Sequence, residues 1–443
     1  MPESQVNDII KLESNTMKQY ALRNGIILDG TRDMEPVFGR TILVKGRKIE
    51  DIVDDKTDVS GYEVIDLNGR YVMPGLINMH VHLAGNGKPQ KKQRDNTKLV
   101  NLIFSNPVSG RVAYHLVRNY AQIELNSGVT TIRTVGGLKD LDSRVRDEIN
   151  AGKYAGPRIL CSNEGISVPG GHMAGSVAIV AHDIEEAIRQ VDHLCDKKAD
   201  LVKLMITGGV MDAKEKGTPG EMKMDPEMIR AVCDHAHKKG FKVAAHVESP
   251  EGVRQALKNG VDSIEHGAVP DEEIIELFKK RNAFLITTLS PALPYALFDR
   301  SVSNASEVEQ YNGNVVFEGI INCCKEALKN GVPVGLGNDV GCPWVSQYDF
   351  WRELVYFTKY VGATNKQALH TATLNNAILA GIGDVTGSIE KGKEADIIVT
   401  DGNPLEDLTT LRNVRMVMAA GRLLRDPVVK RKAILDENLD RYL

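Results

Sequence analysis

The chain changes its hydrophobic rhythm twice. Over residues 18–70, short apolar runs (YALRNGIIL at 20–28, TILVK at 41–45, YEVIDL at 62–67) are broken by Gly, Asp and Asn. Such runs bounded by turn formers predict strands. The same style returns in GSIEKGKEADIIVTDG (387–402) and VRMVMAAGR (414–422). Between these ends the pattern is different. Apolar runs at 72–82, 128–135, 157–162, 201–206, 241–246, 261–266, 284–289 and 332–339 are separated by amphipathic stretches such as 183–198, 225–239, 250–259 and 315–330. Strand and helix alternating eight times over about 310 residues predict a (β/α)8 barrel. A doubly wound sheet would carry a Gly-rich dinucleotide turn after its first strand, and this sequence has none. The predicted fold is therefore α/β: a (β/α)8 TIM barrel over 71–382, with a small β-sandwich domain formed from both termini, 1–70 and 383–443.

Composition narrows the classes of function. The 443 residues are 42% hydrophobic and 26% charged, as in a globular protein, with a net charge of −4 and no basic stripe for nucleic acid. No apolar run approaches a membrane span, and the first residues lack the basic and apolar regions of a secretory signal. The six Cys include no Cys-x-x-Cys pair, which fits free thiols in a reducing cytoplasm. The expected partners are a small-molecule substrate and further copies of the same chain.

His80 and His82 end the first run of the middle region. Two imidazoles two residues apart on a strand point to one side, as half of a metal site requires. With 11 His in the chain, chance supplies about 0.3 His-x-His pairs, so the pair alone is weak. His235 and His237 share the spacing but lie in a predicted helix, where they diverge by roughly 200°. Strand context separates the two cases. Reading the other runs in order adds Lys203, His246, His266 and Asp339, each expected at the end of its run and not in its middle. A barrel gathers such ends at one face. Lys203 has two readings: paired with a carboxylate, or depressed in pKa so that its amine captures CO2. Asp339 also has two: metal ligand, and general base toward a metal-bound water.

At these residues the chain resembles the amidohydrolase superfamily, in its prolidase-like and imidazolonepropionase-like branch. The matching stretches are VMPGLINMHVH (72–82), GVTTIRTVGG (128–137), VKLMITGG (202–209), VAAH (243–246), GVDSIEHG (260–267), GLGND (335–339) and GSIEKGKEAD (387–396). The resemblance implies two divalent metal ions, zinc by preference. His80, His82 and Asp339 would hold one, and His246 and His266 the other. Lys203, as N6-carboxylysine, would bridge them beside a hydroxide, with Asp339 as general base and acid. The implied activity is hydrolysis of an amide bond, in a dipeptide (Xaa-Pro or similar) or an N-acyl amino acid. A cyclic amidase of imidazolonepropionase type is the alternative. A deaminase, a lyase and a non-catalytic binding protein rank lower, because the ligand-type residues are complete and the strand-four Lys is absent from deaminases of this superfamily.

Two departures bear on substrate. The last site reads Gly-Asn-Asp where Gly-Thr-Asp is usual, and Val247-Glu248-Ser249 follows His246 in place of a small or His-containing run. Candidate substrate contacts are His172 in the loop 168–175, Arg133 at the second strand's end, Glu248, and Tyr295 in a loop expected over 290–300. A long loop over 83–109, with Lys88, Lys91, Lys92, Arg94 and Lys98, is a candidate basic lid. His115, His182, His193 and His370 are read as structural.

Overall fold

Two sheets grow from the chain ends in the computed structural model, which describes residues 18–90 and 96–443. One is ordered Lys48–Asp54, Arg40–Lys45, Gln19–Arg23, Glu63–Asp66. The other is ordered Arg422–Arg425, Met416–Ala419, Ile397–Thr400, Tyr71–Pro74, Ile26–Ile27, so N- and C-terminal segments hydrogen-bond to one another. Alternate residues of both, among them Leu22, Val44, Val72, Ile397, Val399 and Met418, share one apolar core. Tyr71–Pro74 belongs to this sheet, so the sheet runs one strand past the boundary expected at residue 70.

The middle region holds the eight expected strands, all paired in parallel. Leu76–Val81, Val129–Thr134 and Arg158–Cys161 form one sheet. Leu201–Met205, Lys242–Val247, Ser263–His266, Phe284–Thr287 and Val334–Leu336 run in order through the other. The second sheet also contains two three-residue strands that the hydrophobic pattern does not announce, Gly165–Ser167 and Ala178–Val180. Three residues are too few to show a period.

The last strand is tied back to the first. Val81 and Val340 form a parallel bridge, His82 N–H donates to Val340 O (2.8 Å), and Asp339 N–H donates to His80 O (2.9 Å). Deeper in, the buried Asn376 amide donates to Ile77 O (2.7 Å) and Leu336 O (2.8 Å) and accepts from Leu336 N (3.0 Å). That side chain satisfies backbone groups of both strands at once.

The helices start where capping chemistry places them. Ile184–Asp196 is capped by Asp183, and Pro226–Lys238 and Pro250–Lys258 carry Pro in the first turn. Glu307–Lys329 opens on a Ser306/Glu309 capping box and starts earlier than the 315–330 stretch suggested. Two expected loops are helical instead. The 83–109 segment contains Asn96–Phe104 and the start of Pro107–Asn126, while Lys91, Lys92 and Arg94 lie outside the described residues. The 290–300 segment is largely the helix Leu289–Leu297, a run too apolar to show a polar face. The C-terminal helix Ala433–Leu439 leaves the terminal sheets: Arg352, on Phe350–Tyr356, is buried against Asp349 (3.2 Å), Asp436 (2.8 Å) and Asp440. Among the described residues, no helix is long and apolar enough to cross a membrane.

Candidate metal centre

Five of the six ligand-type residues lie at or just beyond strand ends, and all but the half-buried His82 are buried. His80 sits near the end of Leu76–Val81, with His82 just beyond it; His246 and His266 close Lys242–Val247 and Ser263–His266. Asp339 follows Val334–Leu336 by three residues. Gly337 allows that approach, because a Cβ there would stand 2.5 Å from the His80 Cβ. His266 and Asp339 both have left-handed backbones, φ +70° and +56°. Non-glycine residues rarely adopt this conformation, and such strain concentrates where side chains are aimed at a site. One departs from expectation in detail: Lys203 lies mid-strand in Leu201–Met205, opposite Ala244, not at the strand's end.

The hydrogen bonds assign the imidazole protons. His80 Nδ1 lies 2.8 Å from Glu265 Oε2, and His82 Nδ1 lies 2.8 Å from Gly136 O. Both partners are acceptors, so each Nδ1 carries the proton and each Nε2 presents a lone pair. Those two Nε2 atoms stand 3.5 and 3.2 Å from Asp339 Oδ1. Asp339 Oδ1 is buried and has no hydrogen-bond donor. With both rings neutral in these tautomers, two lone pairs and a carboxylate oxygen face one another. A cation satisfies that arrangement. One ligand atom from each of His80, His266 and Asp339 lies within 4.8 Å of the others, and the same holds for His246, Glu248 and His266. His266 Nδ1 is held by Thr288 Oγ1 (2.7 Å), and His246 Nε2 approaches Gly208 O (3.3 Å).

Electrostatics favour the ligand forms. Burial holds His80 well below the ordinary imidazole value, with Lys203 adding to the effect. Burial, with His172 and His266 beside it, does the same to His246, and His266 is lowered to about 4, burial first. Burial works to raise the Asp339 carboxyl, but His80 and His82 outweigh it and hold it well below the usual range. The Lys203 ammonium is lowered to about 8, chiefly by burial, against the pull of Glu265 and Asp339. Neutral rings at His80, His246 and His266, an ionised Asp339 and an easily deprotonated Lys203 are the states that metal ligation and amine carboxylation need.

Around this cluster the substrate candidates divide. His172 stacks on His246, with ring centroids 4.0 Å apart and planes within 6°, and its Nδ1 meets Asp212 Oδ2 at 2.5 Å. Glu248 lies against His246 and His266. The Tyr295 hydroxyl donates to Met211 Sδ (3.2 Å). Arg133, offered above as a substrate contact, is buried and turned to protein. Its Nη2 donates to Glu265 Oε1 and Oε2 (2.7 and 2.8 Å), and its Nε to Met79 O (2.7 Å). Three residues escaped the sequence reading: Glu265, Asp212 and Thr288. Only Glu265 had a local signal, an acid beside a ligand histidine inside an apolar run. The pair at His235 and His237 behaves as the helical geometry requires, one ring on Asp192 (2.9 Å) and the other on Asp262 (2.7 Å).

A parallel sheet ending in imidazoles and a carboxylate gathers groups of the kind that hold divalent metal ions. Residues 71–424 match the model of the amidohydrolase family, and the chain belongs to that family. It is accordingly a hydrolase acting on C–N bonds. The structure of a Bifidobacterium longum protein assigned as a prolidase matches with a TM-score of 0.84 at 36% identity, covering 96% of this chain and 99% of that one. A Xaa-Pro dipeptidase with bound methionine in the active site matches with a TM-score of 0.79 at 29% identity, over 92% of this chain and 100% of that one. The ochratoxinase of Aspergillus niger is 25% identical across 96% of this chain and 90% of its own length.

Proposed function

We propose that this protein is a metal-dependent amidohydrolase that cleaves the amide bond of a dipeptide, Xaa-Pro or similar, or of an N-acyl amino acid. The observation that carries the reading is the convergence of His80 Nε2 and His82 Nε2 on a donor-free Asp339 Oδ1. Similarity to a prolidase and a Xaa-Pro dipeptidase supports the substrate class. His80, His82 and Asp339 would hold one divalent ion, and His246 and His266 a second, with carboxylated Lys203 between them. Imidazole and carboxylate donors suit zinc. Divalent ions bound there would lower the pKa of an attacking water and polarise the scissile carbonyl.

The chain's own groups supply the proton traffic. Asp339 takes the proton of the attacking water and returns it to the leaving nitrogen, a role that requires it ionised at the start. Glu265 and Gly136 O fix the tautomers of His80 and His82. His172, anchored on Asp212 and stacked on His246, orients the substrate. The bridge between Val81 and Val340 supports a closed (β/α)8 barrel over 71–382, and the shared core of the terminal sheets supports a small sandwich beside it. Six free cysteines suit the cytoplasm.

The test is a panel of Xaa-Pro dipeptides and N-acyl amino acids incubated with zinc-loaded protein, with release of free amino acid measured. Hydrolysis of at least one is expected. No hydrolysis of any, with metal bound, contradicts the assignment.

A further inference from the structure

We infer that Glu248 is a carboxylate ligand to the ion held by His246 and His266, outside the six-residue set named above. The inference rests on the metal-dependent reading. Glu248 directly follows the strand Lys242–Val247, and one ligand atom from each of His246, Glu248 and His266 lies within 4.8 Å of the others. The side chain is positioned from behind. Its backbone N–H donates to Thr207 Oγ1 (3.1 Å). The loop 208–222 covers it closely. Gly220, at φ +74°, runs so near that a Cβ would stand 2.4 Å from the Glu248 carbonyl, and a Cβ on Gly209 would stand 3.4 Å from Glu248 Oε2.

Glu248 Oε2 is buried and has no hydrogen-bond partner among the described residues. A buried carboxylate oxygen without a donor is costly unless a cation meets it. The nearest lone-pair donors are the two imidazoles with which it forms the ligand triangle. Carboxylate oxygens and imidazole nitrogens ligate the same divalent ions, zinc among them. An ion there would satisfy Oε2 and would not depend on Lys203 carboxylation alone.

The experiment is titration of the chelator-stripped full chain with Zn2+ by calorimetry, with elemental analysis after dialysis, for wild type, Glu248→Gln and Glu248→Asp. Circular dichroism and thermal midpoints of the metal-free proteins report folding. Glu248→Gln is expected to lose at least about tenfold in affinity for one equivalent, since even outer hydrogen-bond partners of ligands are worth that much. Should Glu248→Gln fail to fold, the same loss is expected of Glu248→Asp, whose carboxylate is one methylene short. A folded Glu248→Gln that binds every equivalent as the wild type does overturns the inference and leaves the metal-dependent reading standing. If that variant also shows a raised KM for dipeptides with a free α-amino group, the carboxylate holds a substrate cation instead. Wild type that binds no Zn2+ overturns the inference together with the reading beneath it.

Discussion

Glu265 Oε2 lies 2.8 Å from His80 Nδ1 while Arg133 Nη2 grips both oxygens of the same carboxylate. The three side chains come from three strands and are all buried. The guanidinium holds the Glu265 carboxyl in place, a Glu265 oxygen accepts from His80 Nδ1–H, and that tautomer leaves Nε2 as a lone pair. Glu265→Gln keeps an acceptor oxygen but removes the charge. Zinc affinity is expected to fall about 10–100-fold; equal affinity in a calorimetric titration contradicts the chain of support. Arg133→Met leaves a buried carboxylate without its cation and should destabilise the metal-free protein by about 3–5 kcal/mol, read from its unfolding midpoint. Adding Glu265→Gln to it should recover part of that loss.

The eight strands of the middle region were legible because each is a short apolar run flanked by amphipathic stretches, and His80, His246, His266 and Asp339 stood out because they close such runs. What was not legible depends on contacts between distant positions. Glu265 reaches His80 across 185 residues and Asp212 reaches His172 across 40, so no local spacing reveals either. Arg133 reads as a strand-end cation available to substrate until Glu265 is placed beside it. The strands Gly165–Ser167 and Ala178–Val180 and the uniformly apolar helix Leu289–Leu297 lack the period on which such reading depends.

Asp212 is expected to act on catalysis through His172 and not on the metal. Its carboxyl is lowered in pKa: burial works to raise it, but the His172 bond and charge outweigh that. Asp212→Asn should lower kcat/KM on the order of a hundredfold by releasing the ring that orients substrate, with zinc content unchanged. Loss of zinc in this variant would place His172 and Asp212 among the supports of the ligands instead.

Asp142 gives the metal-free protein a pH dependence of known sign. Burial raises its carboxyl from an ordinary 3.8 to about 6. Between those values the folded chain keeps a proton that the unfolded chain has lost. The stability this contributes is full below pH 3.8 and is lost as pH rises through 6. Asp142→Asn, which stays neutral, should be more stable than wild type at pH 8 by about 3 kcal/mol, the gap closing toward pH 4. A gap that does not change with pH contradicts this account of the group.

The central claim is that His80, His82 and Asp339 converge to bind a metal that hydrolysis of a C–N bond requires. The direct measurement follows turnover of one accepted dipeptide or N-acyl amino acid by wild type and Asp339→Asn, with metal content determined on the same samples before chelation, after chelation and after Zn2+ is restored. The account requires wild-type activity to disappear with the metal and return with it, and Asp339→Asn to stay folded yet lose about 100-fold or more of turnover even when zinc is bound. Full activity in chelated wild type that holds no metal, or in zinc-bound Asp339→Asn, would contradict it.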